Sequence, residues 1–134
     1  MAKRIVLAVL AVFLAWSVLD FVVHGLILQS TYAATANLWR PMEEMKMGLM
    51  RVVTLVASAC FVGIYALLVQ PKSLAVGLKY GLLYGLAAGI SMGCGSYSVM
   101  PIPQHLALAW FAGSLVEAIV GALVVAAIVK GPPQ

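Results

Sequence analysis

Asp20 and His24 sit four residues apart inside a mostly apolar run, Ile5 to Leu28. Residues i and i+4 share one face of a helix, and Trp16 stands one turn earlier on that face. A second acid, Glu117, lies in the middle of another apolar run, His105 to Val129. Arg51 follows the start of a third, with Thr54 and Ser58 on its own face. Carboxyl and imidazole groups inside apolar helices are the materials of a proton relay or a cation site. Their cost is real: a charge at the centre of a bilayer is worth about 2.5–3.5 kcal/mol on insertion scales. Two readings follow. In the first, Asp20 pairs with Arg51, His24 bonds a carbonyl, and Glu117 is protonated or bonds Tyr80, Tyr84 or Ser91. In the second, Asp20, His24, Arg51 and Glu117 form one proton- or cation-linked site.

The elements that must position these groups follow from composition. Of 134 residues, 64% are hydrophobic and 9% charged, and the mean hydropathy is +1.09. Soluble domains run near 45–50% apolar and about 25% charged. Twelve charged residues cannot cover a water-facing surface, which argues against a soluble enzyme, a nucleic-acid binder and a disordered tail. A membrane-spanning helix needs about 20 apolar residues, and four such stretches fit: about 5–28, 48–69, 74–94 and 105–129. The expectation is all-α: a single-domain, four-helix transmembrane bundle. Lys3 and Arg4 followed by an apolar run suggest a signal peptide, but the run exceeds the 7–15 residues or so of such a region, so it reads as an uncleaved first span. Pro41 suits the first position of the second helix, with Glu43 and Glu44 in its first turn, where the helix dipole favours carboxylates. Gln70-Pro71 closes that helix, Gly131-Pro132-Pro133 ends the fourth, and Gly95 to Gln104 reads as the loop between the third and fourth.

Lys3, Arg4, Lys72, Lys79 and Lys130 fall on the side of the termini, and Arg40, Lys46 and Arg51 on the other. The positive-inside rule then puts both termini in the cytoplasm, which for a bacterial chain means the cytoplasmic (inner) membrane. Tyr32, Trp39, Tyr97 and Trp110 fall near the outer interface. At 1.5 Å of rise per residue, Asp20 lies roughly 12 Å, His24 roughly 6 Å and Arg51 roughly 5 Å from the outer ends of their helices, and Glu117 roughly 18 Å down the fourth. Those depths let the first three meet, with Glu117 a turn deeper.

Gly77, Gly81, Gly85, Gly89 and Gly93 recur at every fourth residue of the third span. This glycine-zipper pattern lets another backbone approach closely, within the subunit or between subunits. The fourth span carries a matching small-residue line, Ala109, Gly113, Glu117 and Gly121, which turns Glu117 toward the bundle. Cys60 and Cys94 lie at different depths and read as buried small hydrophobes rather than as a disulfide. Met42, Met45, Cys94 and His105 have the soft donors that suit Cu(I), although Met47 points away from Met42 and Met45. His24 and His105 together are a haem-ligand pair in principle. Neither set forms a cofactor signature, and no cofactor is expected. No serine nucleophile motif, phosphate loop or dinucleotide fingerprint is present, so no enzyme activity is implied.

Leu19-Asp20, Tyr32, Leu38-Trp39-Arg40-Pro41, a glycine-rich third span and an acid in the fourth give the chain a likeness. It resembles small four-helix bacterial membrane proteins grouped as families of unknown function. Those have an Asp in the fourth span where this chain has Glu117, and one of them has a Tyr-Asp-x-x-Asn type pattern after the third span that this chain lacks. The resemblance implies the fold alone. Three functions fit the residues: first a non-enzymatic protein acting by helix association, as a homo-oligomer or an accessory subunit; then a proton- or cation-coupled transporter or channel; and third copper or haem binding at the outer face. The partners implied are the bilayer and another membrane protein or a second copy, with no nucleic acid.

Overall fold

The computed structural model describes residues 1–131. It is all-helical, with no strand among the described residues. Four helices are long and apolar enough to cross a membrane. The first is α1 (Ala2–Asp20), which runs on as a π-helical turn, Phe21–Ile27. A short helix, α2 (Gln29–Ala34), follows it. The second long helix is α3 (Met47–Leu68). The third is α4 (Leu74–Ile90), continued by a π-helical turn, Ser91–Gly95, and by α5 (Ser96–Val99). The fourth is α6 (Gln104–Ile128).

Two boundaries differ from the sequence expectation. Pro41 does not open the second long helix. It precedes a separate 3-10 turn, Met42–Glu44, after which Met45 is extended and α3 begins at Met47. A helix started at Pro41 would project about 9 Å beyond Met47 with nothing to pack on, and short unpartnered helix is marginal. The third span also does not end at Cys94. It runs to Val99, because the stop signal is Pro101 rather than the glycines: a proline disfavours helical backbone in the residue before it, and the chain turns extended at Met100. Of the tripeptide expected to end the fourth span, Pro132 and Pro133 lie outside the described residues.

α6 is the centre of the bundle and packs on both α4 and α1. The glycine line meets α6 and not a free surface. A Cβ at Gly77 would stand 2.6 Å from the Ala126 Cβ, and one at Gly81 would stand 2.7 Å from the Ala122 Cβ. Gly85 faces Leu115 and Ala118, Gly89 faces Phe111, and a Cβ at Gly93 would meet the Ala107 carbonyl oxygen. The small-residue line expected to match it faces elsewhere. Gly113 lies against Val23 of the π turn, and a Cβ at Gly121 would stand 2.8 Å from the Trp16 indole nitrogen. So α6 has two close-packing faces, one for α4 and one for α1. In hydrocarbon, where apolar surface gains nothing by leaving solvent, such close dispersion contact is a principal source of helix association.

The core is in two parts. The larger surrounds Val12, Trp16, Phe61, Tyr65, Ala122 and Val125 on the side of the termini. The smaller joins Leu28, Ile102, Leu106, Ala107 and Trp110 at the far end, with Tyr32, Leu38 and Trp39 folded over it. Between them the packing is incomplete. Cys60 and Cys94 belong to neither part; both are exposed free thiols on outward faces.

Candidate functional site

A cavity of about 640 Å³ lies between the two cores, and all four long helices contribute to its wall. α1 and its π turn supply Trp16, Asp20, Val23 and His24; α3 supplies Met50, Val53, Thr54 and Ala57. The third span supplies Ala88, Ser91, Met92 and Ser96, and α6 supplies Trp110, Gly113, Ser114 and Glu117. Both π-helical turns border it. A π turn inserts a residue into the helical ladder and is frequent at functional sites; here the Leu28 N–H bonds the carbonyl of Val23, five residues back, at 2.9 Å.

The floor is aromatic. The Trp16 indole N–H donates to the backbone carbonyl of Glu117 at 2.7 Å, and the Trp16 ring meets Phe61 edge-on with centroids 5.0 Å apart. Phe61 also packs on Tyr80 and Tyr84, and the Tyr80 hydroxyl donates to the Phe61 carbonyl at 2.8 Å. This stack joins α3 to α4 near their connecting turn. Above it both helices line the cavity. Tyr80, a sequence candidate for bonding Glu117, is committed to the backbone of α3 instead.

Just above this floor, the carboxyls of Asp20 and Glu117 lie within hydrogen-bonding reach of each other. Glu117 is therefore level with Asp20, not a turn deeper. Rise per residue alone places helices as rods entered at the same level; the direct Trp16-to-Glu117 bond sets a different offset. His24 Nε2 is 4.0 Å from Asp20 Oδ1.

His24 does not bond a carbonyl. Its Nδ1 is 2.6 Å from the Tyr32 hydroxyl, and the Trp110 indole N–H donates to that same hydroxyl at 2.8 Å. An indole nitrogen only donates. The Tyr32 hydroxyl then donates to His24 Nδ1, which puts the single proton of the neutral ring on Nε2, the nitrogen turned toward Asp20. Burial pushes the Tyr32 hydroxyl pKa up, against a smaller lowering from the Trp110 bond, so Tyr32 keeps that proton at neutral pH. The result is a line of polar groups, Tyr32, His24, Asp20 and Glu117, with its longest step the 4.0 Å between His24 and Asp20. Trp39 closes the far end. It packs edge-on to Tyr32 and to Trp110 and donates to Thr35 Oγ1 at 2.9 Å.

Arg51 is not part of the site. It is exposed, makes no salt bridge among the described residues, and does not line the cavity. With α3 starting at Met47, the inward face is Met50, Thr54 and Ala57, and Arg51 is one residue, or about 100°, off it. Near a helix end a long arginine reaches outward to the interface. The Asp20–Arg51 pair is therefore absent, and the cavity has two carboxyls, one imidazole and no lysine or arginine.

The soft-metal candidates stay apart from this site. Met42 and Met45 lie around the 3-10 turn ahead of α3, and Cys94 lies on an outward face. His105 Nε2 is 3.4 Å from Thr31 Oγ1, so the two histidines contact neighbouring residues of α2. No three His, Cys, Asp or Glu side chains come together as a metal-holding group among the described residues.

The sequence indicated Asp20, His24 and Glu117 by their cost in an apolar helix. It did not indicate the π turns, Ser96 or Ser114. Tyr32, Trp39 and Trp110 were legible only as interfacial aromatics, and their crowding at one end of the chain's topology was the available signal. No protein-family model matches this chain, and comparison with curated proteins and with solved structures finds no match.

Proposed function

We propose that this chain is a small multi-pass protein of the bacterial cytoplasmic membrane that takes a cation or a proton into the cavity from the side opposite its termini. The single observation that carries the reading is the meeting of two carboxyls, from α1 and α6, in a cavity lined by all four spans. Two ionised carboxyls within hydrogen-bonding reach repel each other, and a proton between them relieves that repulsion. An entering cation competes with that proton, and this competition is the coupling. His24 and Tyr32 give the displaced proton a route to the far end. The glycine line supports this reading indirectly, because it is used within the chain to fix α4 against α6.

The test is flux in proteoliposomes carrying a pH dye, under imposed proton, Na⁺ and K⁺ gradients. Protein-dependent flux is expected, and Glu117→Gln and Asp20→Asn are each expected to lower it by about tenfold or more, since one lost charged hydrogen-bond partner is worth about 1.5–3 kcal/mol. Absence of flux for all three ions, or unchanged flux in both variants, refutes the reading.

A second reading, association as a homo-oligomer or an accessory subunit, keeps one support. Outside the contacts of Phe61 and Tyr65 with Tyr80 and Tyr84 the second and third spans touch little, which leaves a face for a partner's helix. Crosslinking in native membranes tests it; a strictly monomeric product with no co-purifying protein refutes it.

A further inference from the structure

The cavity is far larger than a single bare ion. A hard cation wants a tight shell of oxygens, six to eight for Ca²⁺, whereas the cavity spreads its oxygen-bearing side chains, Asp20, Thr54, Ser91, Ser96, Ser114 and Glu117, over all four spans. Its volume of about 640 Å³ falls instead in the range of about 300–1,000 Å³ that holds drug-sized organic molecules. Three features of the wall narrow the class of occupant.

The first is charge. Asp20 and Glu117 are the acids of the cavity, His24 is its one basic group, and no lysine or arginine lines it. The second is the pair of indoles. Trp16 and Trp110 both line the cavity, and each ring is fixed by its N–H bond, to the Glu117 carbonyl and the Tyr32 hydroxyl. Their attachment points on α6, residues 117 and 110, are about 10 Å apart along the helix axis, a floor and a roof at molecular spacing. Tryptophan is the best aromatic partner for a cation, and quaternary ammonium groups are recognised this way. The third is the mouth. Between α3 and the third span it is flanked by Met50 and Met92, each about half exposed (54% and 48%). Methionine is flexible and polarisable and suits surfaces that accept varied apolar shapes.

We infer that the cavity binds a monovalent organic cation with an apolar body, an aromatic or amphiphilic ammonium or phosphonium, its charge at Asp20 and Glu117 and its body between Trp16 and Trp110. The body enters sideways past Met50 and Met92. This rests on the reading of the two carboxyls as a cation site and adds the substrate class. A neutral lipid chain is the competing occupant: it fits the apolar mouth but gains nothing from the carboxyls.

The probe is tetraphenylphosphonium, with triphenylphosphine oxide as the neutral comparison, measured by equilibrium dialysis against the full chain in lipid nanodiscs. Saturable binding of about one tetraphenylphosphonium per chain is expected, at least about tenfold tighter than the neutral compound (about 1.4 kcal/mol). Glu117→Gln and Asp20→Asn should each weaken it by about tenfold or more. Ala88→Phe, which fills the cavity from the third span and leaves both carboxyls in place, should abolish it with an unchanged elution profile. Arg51→Ala should leave it unchanged. Equal affinity for the neutral compound overturns the inference, as does binding that survives both carboxyl substitutions or the absence of saturable binding. If proton or Na⁺ flux is present and carboxyl-dependent but tetraphenylphosphonium does not bind, the substrate class falls and the coupling stands. If tetraphenylphosphonium binds at the carboxyls without any ion flux, the coupling falls and the site stands.

Discussion

Replacing Gly81 by alanine adds one methyl group where the structure has no room for it. The new Cβ would stand 2.7 Å from the Ala122 Cβ, 2.8 Å from the Ala118 carbonyl oxygen and 3.0 Å from the Ile119 Cα. Two of those three atoms are backbone, so no rotamer change relieves the contact and α4 must back away from α6. Overpacking of this kind costs about 1–3 kcal/mol, and with backbone on the far side the upper part of that range applies. Alanine returns about 0.8–1.0 kcal/mol through its better helix propensity. The net expectation is a loss of about 1–2 kcal/mol. Gly63 is the internal control: a Cβ there has nothing within 4 Å, so Gly63→Ala keeps only the propensity term and gains up to about 1 kcal/mol. The two substitutions are chemically identical and should move stability in opposite directions. Reversible unfolding of the purified protein in mixed micelles, followed by tryptophan fluorescence, measures both. If Gly81→Ala is as stable as the parent, the account of the glycine line is wrong. If it leaves unfolding unchanged but shifts the oligomeric state, the line serves contact between copies instead.

Three further outcomes are expected. Tyr32→Phe removes the acceptor of the Trp110 N–H and the partner of His24 Nδ1, and should cost about 1–3 kcal/mol in unfolding, with altered His24 ring-nitrogen NMR shifts showing the lost tautomer preference. Arg51→Ala touches neither the cavity nor an ion pair, and should change stability by no more than about 0.5 kcal/mol in the same unfolding experiment. In a background lacking Cys60 and Cys94, a membrane-impermeant maleimide applied to intact cells should label Asn37→Cys and spare Gln70→Cys; the reverse pattern inverts the proposed orientation.

The helices were legible because their signal is local. An apolar run of sufficient length declares a span whatever surrounds it, and the four found lie close to the four expected. Where local signals competed, the sequence misled. Gly93 and Gly95 looked like a helix end, yet Pro101 is the stronger stop. Pro41 looked like a helix start, yet a helix begun there has no neighbour. Asp20, His24 and Glu117 were legible for a thermodynamic reason: each is expensive in an apolar helix and so calls for a partner or a role. Arg51 raised the same alarm falsely, because a cost read from a sequence window carries no information on which way a side chain points.

By itself, then, the sequence determined the number of long helices, their apolar character and three of the groups that meet inside them. It also determined the glycine line, though not what the line packs on. Tertiary structure alone decided that α6 receives α4 on one face and α1 on another, that the Asp20 and Glu117 carboxyls stand level, and that Tyr32 and Trp110 hold the His24 ring. These are all matters of rotation and offset between helices. A shift of one residue turns a helix by about 100° and slides it by about 1.5 Å, a change invisible in composition or periodicity and large enough to make or break every contact in the cavity.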